Sequence, residues 1–231
     1  MKFSIIKAAA AVALFVPLLA AAVTPVSIVI TEVSPTSSSA SYGADWFELT
    51  NTGSSALNIT GWKMDDNSNS FASSVALRGV TSIAAGQSVV FIEGNTGGTT
   101  DASIIASFKA AWFGTAATSV IFGNYGGSGV GLGATADAVN IFDSFGTVMA
   151  RVDFGVSTAG VSFDNQAGLN NVTLTQKSVV GVNGAFTSAS GGEIGSPGTI
   201  VTAVPEPETY ALMLAGLAVV AVAARRRRSV V

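Results

Sequence analysis

The chain has 231 residues, 48% of them hydrophobic and only 11% charged, with a formal net charge of −3. That is too apolar for a disordered tail and long enough for one domain with appendages. It contains no His and no Cys, which removes catalysis by imidazole or thiol, zinc sites of the usual ligand types and any disulfide framework.

Lys2 and Lys7 precede Ala8–Ala22, an uncharged run rich in Ala, Val and Leu that ends Ala20-Ala21-Ala22. A basic start, a short apolar stretch and a small-x-small site make a secretory signal peptide over residues 1–22, a helix read by signal peptidase and the Sec translocon. A buried helix would not begin at the initiator Met, contain Pro17 and stop at a run of alanines.

The stretch 23–203 follows. It holds five basic and twelve acidic residues, a net charge of −7 hidden by the cations at the two ends. Few, scattered cations argue against nucleic-acid binding, which depends on neutralising phosphates. Ser27–Val33 is a β-branched run. Asp45–Thr50 alternates Phe47 and Leu49 against Glu48 and Thr50, and Leu57–Lys63 alternates again after a turn at Asn51–Ser55. Ser88–Ile92 is a compact apolar strand. Asp101–Phe113 is the one helix expected, with Asp101 as N-cap and Ile104, Ile105, Phe108 and Trp112 on one face. It is expected to cover a sheet edge or an open end. Ala138–Phe142, Thr147–Phe154 and Asn171–Thr175 read as further strands, so the class is mainly β, a sandwich. Trp46 and Trp62 are core or half-core residues.

Three stretches invite a chemical reading. Gly129, Gly131 and Ala134 give one G-x-G-x-x-A match, but a strand-like run follows where a nucleotide site needs a helix, so Gly126–Ala134 is read as a flexible surface loop. Asp65-Asp66-Asn67-Ser68-Asn69 resembles the start of a calcium loop, yet Ser70 and Ala76 stand where an EF-hand needs Gly and Glu. A polar turn is the simpler reading, and no metal or cofactor is assigned. Without His or Cys, Ser-Lys pairs or paired carboxylates are the catalytic routes left, and no G-x-S-x-G elbow occurs. Asp143–Gly146 is a hairpin turn.

At the C-terminus, Val204-Pro205-Glu206-Pro207 precedes Tyr210–Ala224, fifteen uncharged residues closed by Arg225-Arg226-Arg227-Arg228. As a helix the fifteen span about 22 Å, a short membrane anchor that snorkelling arginines extend. The Arg cluster is a membrane stop that stays cytoplasmic, which leaves the preceding domain outside. The prolines keep the junction extended.

Residues 204–231 resemble the PEP-CTERM protein-sorting signal of exported bacterial proteins. The resemblance rests on Val204-Pro205-Glu206-Pro207, Tyr210-Ala211-Leu212-Met213-Leu214-Ala215-Gly216-Leu217 and the Arg run, in order and spacing. It implies an exosortase as partner, a membrane protease or transpeptidase that cuts near Pro-Glu-Pro. It also implies a Gram-negative host making extracellular polysaccharide, and a protein held briefly at the inner membrane before it reaches the surface or matrix. The domain in turn resembles the lamin tail domain, an immunoglobulin-like β-sandwich. Ile28–Val33, Asp45–Asn51, Leu57–Asp66, Ala85–Val90, Asp137–Gly146 and Gly195-Ser196-Pro197-Gly198 carry that likeness, with the helix and the Gly-rich segment as departures. It implies a binding or structural role with no fixed ligand. The leading expectation is an exported non-enzymatic envelope or matrix protein, with extracellular polysaccharide as a candidate partner. A calcium-dependent adhesin or carbohydrate-binding module, and a secreted carboxylate-based hydrolase, are the alternatives.

Overall fold

The structure is a computed structural model that describes residues 28–36, 42–199 and 215–217. The expected signal helix lies outside them, as does all but a helical stretch at 215–217 of the expected membrane helix. Among the described residues no helix is long and apolar enough to cross a membrane.

The strands are β1 (Ile28–Ser34), β2 (Trp46–Asn51), β3 (Leu57–Asn58), β4 (Lys63–Asp65), β5 (Val75–Ala76), β6 (Ser82–Ile83) and β7 (Ser88–Gly94). The helix α1 (Asp101–Phe113) follows, then β8 (Ile121–Gly126), β9 (Asp137–Phe142) and β10 (Val148–Phe154). The C-terminal part adds β11 (Phe163–Asp164), β12 (Val172–Leu174), β13 (Phe186–Thr187) and β14 (Ile194–Gly195). Two five-stranded sheets, ordered β11-β1-β2-β7-β8 and β12-β10-β9-β4-β5, face each other. Their inner faces interdigitate Ile30, Phe47, Leu49 and Phe91 of the first sheet with Met64, Val139, Ile141 and Val152 of the second. This is the expected β-sandwich, a core built by the period-two alternation of strands that each send one face inward.

Leu57–Lys63 is not one strand. It divides into β3, which pairs with β6, and β4, which enters the second sheet beside β9. Gly61 causes the division: its φ of +77° reverses the chain between them, a conformation an L side chain rarely adopts. The alternation Leu57, Ile59 persists across the turn because both residues still face the core.

The first sheet is buried on both faces. Its outer face carries Trp46, Val90 and Ile92, and α1 packs on them through Phe108, Ala111 and Trp112. Trp46 meets the rings of Phe108 and Trp112 edge-on, each at 5.7 Å. The helix has the expected bounds but covers a face, not an edge or an open end. Its position follows from topology: β7 and β8 are parallel neighbours, and a parallel connection must cross over the sheet. Asp101 is not the N-cap. Thr100 holds that position without a side-chain cap, and Asp101, in the first turn, accepts two hydrogen bonds from Arg78, at 2.8 and 2.7 Å. A paired guanidinium is a stronger partner for a carboxylate than a helix amide.

The Gly-rich segment is not a plain surface loop. Gly123–Gly126 supplies four of the six residues of β8, and Val130 and Leu132 are buried in the core. The strand β9, not a helix, follows it, so the G-x-G-x-x-A match has no nucleotide-binding context.

Candidate functional site

The outer face of the first sheet holds a pair of buried carboxylates. Glu32 of β1 and Glu48 of β2 are register partners, both 0% exposed. A β-bulge at Thr31 brings them there. The register shifts between Ile30 and Glu32, so Thr31 and Glu32 both serve the outer face while Ile30 and Val33 stay in the core. Thr31 Oγ1 then donates to Glu48 Oε1 at 2.6 Å.

Further donors come from Ser162, from Ser88 and from the C-terminal segment Ser188–Thr199, which lies across this face as a strap. Ser196 donates its amide to Glu32 Oε1 at 2.8 Å and its hydroxyl to Glu32 Oε2 at 3.1 Å. Gly198 donates its amide to Glu48, and Ser162 its hydroxyl to Glu32. The same strap closes the end of α1: the amides of Ala189 and Ser190 donate to the carbonyls of Trp112 and Ala111, at 3.1 and 2.9 Å. Those carbonyls have no intrahelical partner, so the strap supplies what the helix end lacks. Tyr42 receives the Trp112 indole N–H at 3.0 Å and donates to Glu193 of the strap.

Burial first, and then the Glu48 charge, pushes Glu32 up to about 8, against the pull of the Ser162 and Ser196 donors. Burial raises Glu48 to about 7, countered by Thr31, Gly198 and Ser88. Near neutral pH the pair therefore holds at least one proton. It is a carboxylate pair of the kind the sequence left open for catalysis, but it is covered by the strap and fully withdrawn from solvent.

A second acidic group lies at the other end of β2 and β7. Burial, and then Glu93, pushes Asp45 up to about 8, while the Leu132 amide pulls it down and Asp137 adds to the rise. Burial also raises Glu93, which accepts the Asp45 amide. Tyr125, fully buried beside these acids, has a hydroxyl with no hydrogen-bond partner among the described residues, and burial carries its pKa well above the ordinary phenol value. Among the described residues no three His, Cys, Asp or Glu side chains group where they could hold a metal ion.

The calcium-like stretch behaves as a polar turn. The Asp65 carboxylate is buried and already accepts the Ser70 amide at 2.7 Å and the Ser68 and Ser73 hydroxyls at 2.6 and 3.3 Å. Asp66 accepts the Ser68 amide at 2.9 Å. Asp143 likewise caps Phe145 and Thr147 in the β9–β10 hairpin turn. Trp46 and Trp62 are buried, at 0% and 5% exposure.

Sequence reasoning did not single out Glu32, Glu48 or the strap's hold on them. A Glu alternating with Phe47 and Leu49 reads as solvent-facing. One signal pointed the other way: Val89–Ile92 is apolar at every position, which marks a strand covered on both faces. Of the expected site residues, Val204, Pro205, Glu206 and Pro207 and Arg225, Arg226, Arg227 and Arg228 lie outside the described residues. The described body ends at Thr199, five positions before Val204.

The PEP-CTERM protein-sorting motif matches residues 203–228, spanning the Pro-Glu-Pro, the apolar run and the Arg cluster. No curated protein matches the chain. The Lamin Tail Domain model matches residues 21–155, from before β1 to the end of β10, and leaves the strap beyond it. Over half the chain lies in that match, two sheets face each other as such a sandwich requires, and the chain belongs to the Lamin Tail Domain family.

Proposed function

We propose that this is an exported, non-enzymatic protein of the envelope or extracellular matrix, processed at its C-terminus by an exosortase. In this reading a signal peptide over residues 1–22 sends the chain through the Sec translocon. The helix Tyr210–Ala224 then holds it at the inner membrane with Arg225–Arg228 inside, and Val204-Pro205-Glu206-Pro207 is the motif the enzyme reads. The observation that carries the reading is the sorting-motif match at 203–228, directly after a β domain whose described residues run to Thr199. A binding or structural role for the domain is supported by its chemistry. Its buried carboxylates are occupied by the chain's own donors, and the sequence offers neither His nor Cys.

Mass spectrometry of the mature protein from an exosortase-competent host tests the reading. The expected result is loss of Arg225–Arg228 together with the apolar run. A mature chain still ending at Val231 would overturn it. Calorimetry of the mature domain against the host's own extracellular polysaccharide, with and without calcium, tests the ligand: heat released on mixing supports a binding module, and none leaves a structural part.

A further inference from the structure

The strap lies beyond the Lamin Tail Domain match and before the sorting-motif match, and neither match assigns it a role. Its hold on the sheet is specific. Ser196 and Gly198 each spend a backbone amide on a buried carboxylate, one on each partner of the Glu32–Glu48 pair. Gly198 sits at φ +79°, and a Cβ there would lie 2.2 Å from Val120, so the chain passes through a gap that fits only glycine. A protease must draw several residues into an extended form in its cleft. A segment whose amides are bound inside the fold cannot supply them unless it first detaches.

We propose that Glu32 and Glu48 are positioning residues for C-terminal processing: by pinning the strap through Ser196 and Gly198 they withhold residues up to Thr199 from cleavage, and the cut falls beyond Thr199. This rests on the exosortase reading above. The pin also limits reach. Glu206 lies seven positions beyond Thr199, at most about 25 Å of extended chain. The motif therefore cannot stand farther than that from the end of the strap, and the enzyme must engage it close against the domain. Processing then removes only the tail, and the mature protein keeps the segment that covers its buried acids and caps α1.

The test has two independent arms. In the purified full-length chain, hydrogen exchange should show the Ser196 and Gly198 amides protected to within tenfold of the amides of β2. Exchange at the rate of free peptide would overturn the pin whatever the processing enzyme does. In the exosortase-competent host, the wild-type product should be a single species ending at Thr199 or later, and an end at Gly198 or earlier would overturn the proposal. Glu48→Ala and Gly198→Val should raise exchange at Ser196 at least tenfold and add products ending between Ser188 and Gly198. Glu48→Gln, which keeps an acceptor for the Gly198 amide, should restore the single product. Variants that gain exchange yet give the wild-type end alone would show that the pin does not set the boundary. If the wild type is never cut, the exosortase reading fails by itself and the exchange arm still decides the pin.

Discussion

The buried acids make the folded chain a stronger proton acceptor than the unfolded one. Glu32 and Asp45 titrate at about 8 and Glu48 at about 7, against ordinary values of 4.5 for Glu and 3.8 for Asp. Between those limits the native state binds more protons than the unfolded state, so stability falls as pH rises. Their contribution is complete below about pH 4, declines through neutrality and is gone above about pH 8. Urea midpoints measured at pH 5 and pH 8 should show the lower value at pH 8. The opposite shift at Asp143, whose carboxylate accepts the Thr147 and Phe145 amides, acts below that window. Asp45→Asn keeps an acceptor for the Leu132 amide and removes the ionisation, so it should raise the urea midpoint at pH 8 relative to the wild type and leave it little changed at pH 4. At the pin, Gly198→Ala combines a positive φ with a contact at Val120 and should cost about 1–3 kcal/mol in urea unfolding. In the core, Phe91→Ala removes a fully buried ring that stacks on Phe47 at 5.6 Å and should cost about 3–5 kcal/mol.

Among the elements, the long strands and the helix were legible because their apolar periods are long enough to be unambiguous. The expected runs Ala138–Phe142 and Thr147–Phe154 correspond to β9 and β10 to within a residue, and α1 has its expected bounds. What escaped had non-local causes. The division of Leu57–Lys63 depends on Gly61 adopting a left-handed turn, which a period-two pattern cannot register. The burial of Glu32 and Glu48 depends on Ser196 and Gly198, some 150 residues or more away. The role of Asp101 depends on Arg78 reaching it from the loop between β5 and β6. That ion pair joins this loop to the first turn of α1 with both side chains about three-quarters buried. Arg78→Ala should therefore cost about 1 kcal/mol in thermal unfolding, as a two-bond pair near the surface does.

On the scale of the whole molecule, the family match and the fold divide the chain differently. The match stops at residue 155, but the folded body continues through β11, which extends the first sheet beside β1, and β12, which pairs in parallel with β10. The strap then covers the face on which α1 lies. A chain cut back to residue 155 would lose one edge strand of each sheet, the cover over two buried carboxylates and the partners of the last helical carbonyls. Expressed alone, it should bind a hydrophobic dye and show Trp46 and Trp112 fluorescence shifted to the red. The chain carried through Thr199 should show neither.

The bond from Ser196 to Glu32 also sets an order in time. Its two residues lie 164 positions apart, one at the first strand and the other almost at the end of the body. A polypeptide is made from its N-terminus, so Glu32 and Glu48 must wait, uncovered and free to ionise, until nearly the whole domain exists. Closing so long a loop is slow compared with pairing β1 to β2 or β9 to β10. In refolding followed by pulse-labelled exchange, the amides of β9 and β10 should become protected before those of Ser196 and Gly198. The last step of folding then coincides with the arrival of the residues that lead into the sorting tail, and a domain that has not finished folding offers that tail from an unpinned end.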